Sequence, residues 1–128
     1  MRTAILLVTC LALVACASDD STAPTISNLS YSPMSLPVGM QTTISGTIAF
    51  NDPDGDLEQL GAEITLPDGS KQTLPMTNLQ NVGTMTDGSI GWALIVVPPS
   101  AGTYHMSLWI TDADGHTSNK LEASATAQ

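Results

Sequence analysis

The sequence predicts an all-β domain in the form of a single Greek-key sandwich, with about seven strands in two packed sheets. Three observations predict this fold. Short segments alternate apolar and polar residues with a period of two, clusters of Gly, Pro, Asn and Asp separate them, and no stretch carries an apolar stripe of helical period. The predicted sandwich occupies residues 25–128, after a signal peptide at residues 1–15 and a short linker at residues 16–24.

The first half of this domain is predicted to contain four strands, at residues 26–31, 42–50, 60–66 and 71–76. Pro33 and Pro37 interrupt the chain after the first strand, and proline is tolerated beside an edge strand. In the second and third strands every second residue is apolar or small, which indicates one buried face. The Pro-Asp-Gly-Ser sequence of residues 67–70 then favours a tight turn into the fourth strand.

The second half is predicted to contain three strands, at residues 90–96, 104–111 and 117–125. Before them, residues 77–88 favour a loop because Asn and Gly recur, and one short strand is the alternative. A Pro-Pro pair ends the fifth strand, in which Trp92 is expected to be buried. In the sixth strand the alternation places His105 and Trp109 on the face opposite the core.

The amino-terminal segment is predicted to be a secretory signal peptide. Arg2 gives it a positive start, and the apolar run at residues 5–15 is shorter than the ~20 residues that a membrane span needs. The sequence Leu-Val-Ala-Cys at residues 13–16 resembles the bacterial lipobox. This resemblance implies cleavage before Cys16 and a covalent lipid on Cys16, which anchors the mature chain to a membrane. An ordinary cleavage site near a buried Cys is the alternative.

The residues around Cys16 also bear on localisation. Ala17 does not resemble the Asp that retains enterobacterial lipoproteins in the inner membrane, so the resemblance implies the outer membrane of the cell envelope. Residues 18–20, Ser-Asp-Asp, are similar to the acidic export signal of Bacteroidetes surface lipoproteins, and a polar linker is the alternative. With Cys10 removed and Cys16 lipidated, no thiol remains for a disulfide or a metal.

The composition of the chain limits its partners. It has 3 basic and 12 acidic residues and a formal net charge of −9. Nucleic acids bind basic patches, which this sequence lacks, so no nucleic acid partner is expected. Contact with a membrane is expected through the lipid anchor alone, and the acidic character favours solubility or cation binding.

The sixth strand carries a resemblance to immunoglobulin-like (Ig-like) domains. Residues 101–104, Ala-Gly-Thr-Tyr, resemble the approach to the sixth strand of those domains, where a Tyr hydroxyl caps a corner. Residues 50–57 and 108–115, both rich in Asp, are similar to bacterial Ig-like, PKD-type and cadherin-like extracellular modules. The resemblance implies that the sandwich is Ig-like, that Tyr104 caps the corner, and that the domain serves adhesion, spacing or ligand display. Met106 stands where antibody domains have a Cys, so no inter-sheet disulfide is implied.

Two acidic loops are predicted to meet at one end of the sandwich. Asp52, Asp54 and Asp56 follow the second strand, and Asp112 and Asp114 follow the sixth, with no Lys or Arg inside either loop. The repulsion among these carboxylates is relieved by raised pKa values, by spreading into water, or by a hard cation, which takes about 6 to 8 oxygen ligands. Calcium is the natural candidate for such a cation. The alternative is a pair of solvated turns whose Asp side chains bond their own backbone.

Further candidate residues lie near this cluster and on one strand face. His116 adjoins the acidic loops and makes zinc an alternative metal. His105 and Trp109 form a candidate binding surface, an aromatic platform for a glycan or protein partner. No Ser or thiol has the spacing of a catalytic partner for either His, so an enzyme is not expected.

These observations together predict a membrane-anchored, non-catalytic structural, adhesion or interaction module. The alternative is a carbohydrate- or protein-binding accessory subunit that uses the Trp109 face. Because the first strand begins at the pole with the acidic loops, the lipidated linker and the cation site are predicted to be neighbours, with Gln128 at the far end. A bound cation would then stiffen the junction between linker and domain.

Overall fold

The computed structural model of the chain describes residues 22–82 and 84–128, and these residues form nine β-strands and no helix. The strands are β1 (Thr25–Ser32), β2 (Ser35–Leu36), β3 (Thr42–Asn51), β4 (Leu57–Thr65), β5 (Lys71–Thr73), β6 (Thr77–Asn78), β7 (Asp87–Val96), β8 (Gly102–Asp112) and β9 (Leu121–Ala127). None of the described segments is a helix of the length and hydropathy that a membrane crossing requires. The predicted signal peptide and the predicted lipidation residue, Cys16, lie outside the described residues.

The strands pack as two sheets. The first contains β1, β3 and β7 in that order, and the second contains β2, β9, β8, β4 and β5, with β6 also paired to β4. Every pairing is antiparallel except the one between β2 and β9. The prediction of an all-β sandwich of two sheets is confirmed.

The core lies between the sheets and is built from alternate residues of the long strands. Ile44 and Ile48 of β3 and Met106, Leu108 and Ile110 of β8 each expose at most 1% of their surface. Burial of a large apolar side chain stabilises a fold by roughly 1.5–3 kcal/mol relative to leaving it exposed. Met106 therefore contributes apolar packing between the two sheets at this point of the fold.

Tyr104 closes the corner before β8. Its hydroxyl donates a hydrogen bond to the carbonyl oxygen of Ser100 at 2.8 Å and accepts one from the Ser100 N–H at 3.3 Å. Gly102 has a φ of 136°, and a Cβ at that position would lie 2.7 Å from the Cβ of Pro67. The corner therefore requires glycine, and the predicted capping role of Tyr104 is confirmed.

Two very short strands account for the difference between about seven predicted strands and the nine described. β2 pairs with β9, and β6 pairs with β4, each over two residues. β6 confirms the short-strand alternative for residues 77–88. The fourth predicted strand is shorter than expected, because β5 ends at Thr73 and pairs with β4 through three residues only.

The last strand begins at Leu121 rather than at residue 117, and before it only an isolated bridge joins Thr117 to Thr111 of β8. Ser118 Oγ accepts a hydrogen bond from the Ile110 N–H at 2.9 Å. The Asn119 side chain accepts a bond from the Ile26 N–H at 2.8 Å and donates one to the Ile26 carbonyl oxygen at 2.9 Å. Asn119 therefore binds both backbone groups of one residue of β1 and joins the two sheets.

The two ends of the sandwich differ, as the sequence predicts. At one end β1 starts with Thr25 opposite Asn51, beside the loop that carries the first acidic residues. At the other end the Val38 N–H donates a hydrogen bond to the Gln128 carbonyl oxygen at 3.1 Å. We call the first end the acidic pole and the second the distal pole. The start of the described chain therefore lies at the acidic pole, and the carboxyl terminus lies at the distal pole.

Candidate metal centre

The first acidic loop joins β3 to β4 and is held in place by its own aspartate. The Asp52 N–H donates to the Thr86 carbonyl oxygen at 2.7 Å, and Asp52 Oδ2 accepts a bond from the Asp56 N–H at 2.8 Å. Gly55 has a φ of 63°, and a Cβ there would lie 3.1 Å from the Thr84 carbonyl oxygen. The loop therefore needs glycine at its tip, and the turn directs its carboxylates toward one another.

The second acidic loop joins β8 to β9 and has the same construction. Asp112 Oδ1 accepts bonds from the Asp114 N–H at 3.0 Å and from the His116 N–H at 2.8 Å. The Ala113 N–H donates to the Asp56 carbonyl oxygen at 2.9 Å, which connects the two loops directly. Adjacent antiparallel strands bring the loops together, as the sequence predicts.

Four carboxylates from these loops converge. Asp52, Asp54, Asp56 and Asp112 each offer an oxygen, and these oxygens all lie within 4.8 Å of one another. Asp52 is 0% exposed and Asp112 is 2% exposed. Asp52 Oδ1 and Asp56 Oδ1 are buried and have no hydrogen-bond partner among the described atoms. A buried carboxylate oxygen without a donor is costly, and either a bound cation or a proton compensates it.

The electrostatics of the cluster reflect this crowding. Desolvation, followed by the negative charges of Asp112, Asp52 and Asp114, raises the pKa of Asp56 to about 6 from its ordinary value of 3.8. The side chain of His116 lies beside the cluster, with Nδ1 2.9 Å from Asp112 Oδ2. The cluster therefore holds negative charge at neutral pH that its own backbone contacts do not fully compensate.

The donor set fits a hard cation. Carboxylate oxygens are the ligands that Ca²⁺ and Mg²⁺ prefer, and Ca²⁺ accepts an irregular arrangement of them. The Asp112 carboxylate already bonds two backbone N–H groups and the His116 ring, so fewer of its lone pairs remain to bind a cation. Asp52 and Asp56 each retain a buried oxygen that can bind a cation. Zinc would need more nitrogen or sulfur donors than this cluster supplies.

Not every acidic residue near the pole belongs to the group. Asp114 is close enough to raise the pKa of Asp56, but it is exposed and lies outside the four converging carboxylates. Asp87 lies opposite Asn51 at the start of β7. The structure adds one contact that the sequence does not indicate, since the Thr22 N–H donates to Asp54 Oδ2.

The second predicted surface is the outer face of the six-stranded sheet. His105 is exposed and Trp109 is partly buried on this face. The Trp109 ring lies against Gly61, where a Cβ would come 2.4 Å from the ring, and Lys120 Nζ lies 4.8 Å from the ring centroid. Gly61 thus makes the space in which this ring lies on the sheet.

Comparison with known proteins places the chain by its fold. No family model matches it, and no curated protein matches it. The PKD domain of an M14-like peptidase from a Thermoplasmatales archaeon superposes with a TM-score of 0.52 at 20% identity, over 84% of this chain and 97% of that one. A Niemann-Pick type C2 protein from the Japanese carpenter ant superposes with a TM-score of 0.51 at 10% identity, over 84% of this chain and 95% of that one.

A third similar structure is much longer than this chain. The β-glucosidase 3B of Thermotoga neapolitana superposes with a TM-score of 0.55 at 14% identity, over 83% of this chain but only 16% of the glucosidase. At these identities the comparisons concern fold alone. The chain is an Ig-like β-sandwich domain, and a PKD domain is among the structures it resembles.

Proposed function

We propose that the chain is a non-catalytic Ig-like module of the bacterial cell envelope, anchored to the outer membrane through a lipid on Cys16 and stabilised by a calcium ion at the acidic pole. The observation that carries the calcium proposal is Asp52, which is 0% exposed and has a buried oxygen without a donor. Asp52 faces three further carboxylates within 4.8 Å. Solvated turns would leave such a side chain in water.

A calcium ion at this pole would also act on the linker. Thr22 is the first described residue, and its N–H bonds Asp54, one of the four converging carboxylates. An ion that fixes Asp54 would therefore fix the start of the domain relative to the lipidated linker. The role proposed for the site is orientation of the module on its membrane, which agrees with a non-catalytic function.

Calcium binding is tested by thermal unfolding. Every described strand lies within residues 22–128, so a fragment that starts at Ala17 keeps the whole core. A ligand at ~100 times its Kd adds roughly 2.7 kcal/mol to the free energy of unfolding, which raises the melting temperature by roughly 10 °C for a domain of this size. We expect this rise when chelator is replaced by millimolar calcium, and a smaller one with magnesium or zinc.

Two variants make the test specific to the site. Asp54→Ala removes one of the four carboxylates and should abolish the calcium-dependent rise. Glu122→Gln removes an exposed acid on β9 and should keep it. An equal rise in the wild type and Asp54→Ala would contradict the proposed site.

The lipid anchor is tested on the full chain in a bacterial host. Cys16→Ser should abolish incorporation of labelled palmitate and release the chain from the membrane fraction. Cys10→Ser provides the matched control, because Cys10 lies inside the predicted signal peptide and should be dispensable. Palmitate labelling that persists in Cys16→Ser would contradict the anchor.

A second candidate function is a carbohydrate- or protein-binding accessory subunit that uses the Trp109 face. The space at Gly61, which lets the Trp109 ring lie against the sheet on the same face as exposed His105, favours it. Affinity electrophoresis against neutral polysaccharides tests it. If this function is correct, Trp109→Ala should abolish retardation, and Asp54→Ala should leave it unchanged. If the chain is instead a calcium-stabilised module, Asp54→Ala should lose the calcium-dependent rise in melting temperature, and Trp109→Ala should keep it.

A further inference from the structure

The strand β7 forms an unpaired edge of the three-stranded sheet. Among the described residues it pairs with β3 alone, over all ten of its positions. Its sequence contains no proline and no lysine, which are the residues that usually protect an edge strand from pairing with another chain. β7 therefore presents a long row of backbone N–H and C=O groups on its free side.

No described strand pairs with the free side of β7, and residues 74–79 lie across the smaller groove from residues 91–94. The hairpin at residues 67–70 returns β5 along β4, and β6 also pairs with β4. The six-stranded sheet therefore extends past β7. No described strand of the three-stranded sheet lies opposite β5, the outermost strand of the six-stranded sheet. Two grooves lie along this flank. Leu74 and Val96 contribute to the walls of the larger groove, of about 310 Å³, and Leu74 and Leu94 contribute to those of the smaller, of about 170 Å³.

The side chains along this flank are those of an incomplete core. Trp92 is only 6% exposed and lines the smaller groove, and its Nε1 has no acceptor among the described atoms. Ile95 and Val97 line the larger groove and are 67% and 55% exposed. The Trp92 ring centroid lies 6.4 Å from that of Tyr31 on β1, so the exposed apolar surface of this flank comes from Ile95 and Val97.

The charge of the flank indicates what kind of strand fits it. Asp87 is the only charged residue of β7 and lies at the acidic pole. The two lysines among the described residues are elsewhere, with Lys71 3.7 Å from Glu63 and Lys120 over Trp109. A second copy of the chain would bring another net charge of −9 to this edge. Charge complementarity therefore favours a basic partner over a second copy.

We propose that the β7 edge binds an extended segment of another protein, which adds a fourth strand to the three-stranded sheet. The segment carries apolar side chains at alternate positions, which enter the two grooves, and a Lys or Arg at the end that meets Asp87. Main-chain hydrogen bonds supply affinity in this mode, and the alternate side chains supply specificity. The inference depends on neither the calcium ion nor the lipid anchor.

The probe for this proposal is a library of random decapeptides, displayed on phage and selected against the fragment that starts at Ala17. We expect enrichment of peptides that alternate apolar and polar residues and carry a Lys or Arg. Amide chemical shifts of the fragment titrated with one selected peptide should change along β7 and leave β2 and β5, the edges of the other sheet, unchanged. In a strand bound at one edge, every second backbone N–H of the peptide bonds β7. Methylation of the nitrogens at either the odd or the even positions should therefore abolish binding, and methylation of the other set should not.

Matched variants locate the contacts. Ile95→Lys should weaken peptide binding about tenfold or more, as expected for loss of one apolar anchor. Met34→Lys changes a similarly exposed apolar residue, whose carbonyl oxygen bonds Thr126 of β9 in the other sheet, and should leave binding unchanged. Asp87→Asn should remove the preference for basic peptides. Three results would overturn the proposal. They are a selection that enriches no peptides, chemical shift changes confined to another edge, and a dimer of the fragment that Ile95→Lys dissociates.

Discussion

The two poles of the sandwich are closed by different chemistry. At the distal pole, backbone groups bond one another, as in the bonds from Gly39 N–H to the Pro98 carbonyl oxygen at 2.8 Å and from Gln128 N–H to the Leu36 carbonyl oxygen at 2.9 Å. At the acidic pole, buried carboxylates bond the backbone of their own loops. We therefore expect the stability of the distal pole to be indifferent to ions and that of the acidic pole to depend on cations and pH.

The largest expected effect concerns Asp52. In calcium, Asp52→Ala should lower the free energy of unfolding by about 3 kcal/mol, because the ion-dependent stabilisation is lost and the Asp56 N–H loses its acceptor. In chelator the loss should be much smaller, because the change also removes one of the repelling carboxylates. Denaturant titrations in both conditions measure the difference, and an equal loss in both would contradict a cation site.

The acidic pole should also make the free energy of unfolding depend on pH. Folded Asp56 keeps its proton up to about pH 6, whereas its ordinary pKa is 3.8, so the folded state binds more protons in this interval. In chelator this residue should therefore make the free energy of unfolding decrease as pH rises from about 4 to 6. Denaturant titrations at several pH values should show that the free energy of unfolding changes less with pH in Asp56→Asn in chelator, and in the wild type in calcium, than in the wild type in chelator. Identical profiles for the wild type and Asp56→Asn in chelator would refute this assignment.

A change at the distal pole should behave differently. Tyr104→Phe keeps the ring and removes the hydroxyl that bonds Ser100, so it should cost about 1 kcal/mol. The cost should be the same in chelator and in calcium, because the corner is far from the carboxylate cluster. A calcium-dependent cost for Tyr104→Phe, measured by thermal unfolding, would mean that the poles are coupled.

The smallest effect is expected at the Lys71–Glu63 ion pair. Its atoms are 3.7 Å apart and the Lys71 side chain is 66% exposed, so solvent screens the attraction. Lys71→Gln should change the free energy of unfolding by less than about 0.5 kcal/mol in either condition. A larger loss in a denaturant titration would show that β5 contributes more to the fold than its three paired residues suggest.

The sequence predicts the features that depend on local patterns. The alternation in β3 and β8 and the turn at residues 67–70 follow from neighbouring residues, and the resemblance to Ig-like domains implies the corner at Tyr104. The structure has each of them. Antiparallel connection also predicts that the two acidic loops share a pole. The convergence of four of the five predicted aspartates follows from that rule.

Other features depend on residues far apart in the chain and could not be predicted. The parallel pairing of Leu36 with Ala127 and the binding of Ile26 by Asn119 join segments about 90 residues apart. Likewise, an Asp in a Gly-rich loop has the local pattern of an exposed turn. In the structure Asp52 is 0% exposed, its N–H bonds the Thr86 carbonyl oxygen, and the second acidic loop bonds the Asp56 carbonyl oxygen of the same loop.

The contacts of β1 determine how the domain would respond to a pulling force. A load applied through Thr22 enters β1 at its start and is directed along the strand, so its hydrogen bonds to β3 share the load instead of breaking one at a time. Asn119 holds Ile26 near the loaded end, and the Tyr31 hydroxyl bonds both backbone groups of Ser124 further along. These two attachments carry part of the tension into the second sheet, which makes β1 a shear-resistant anchor strand for a domain tethered by its amino terminus.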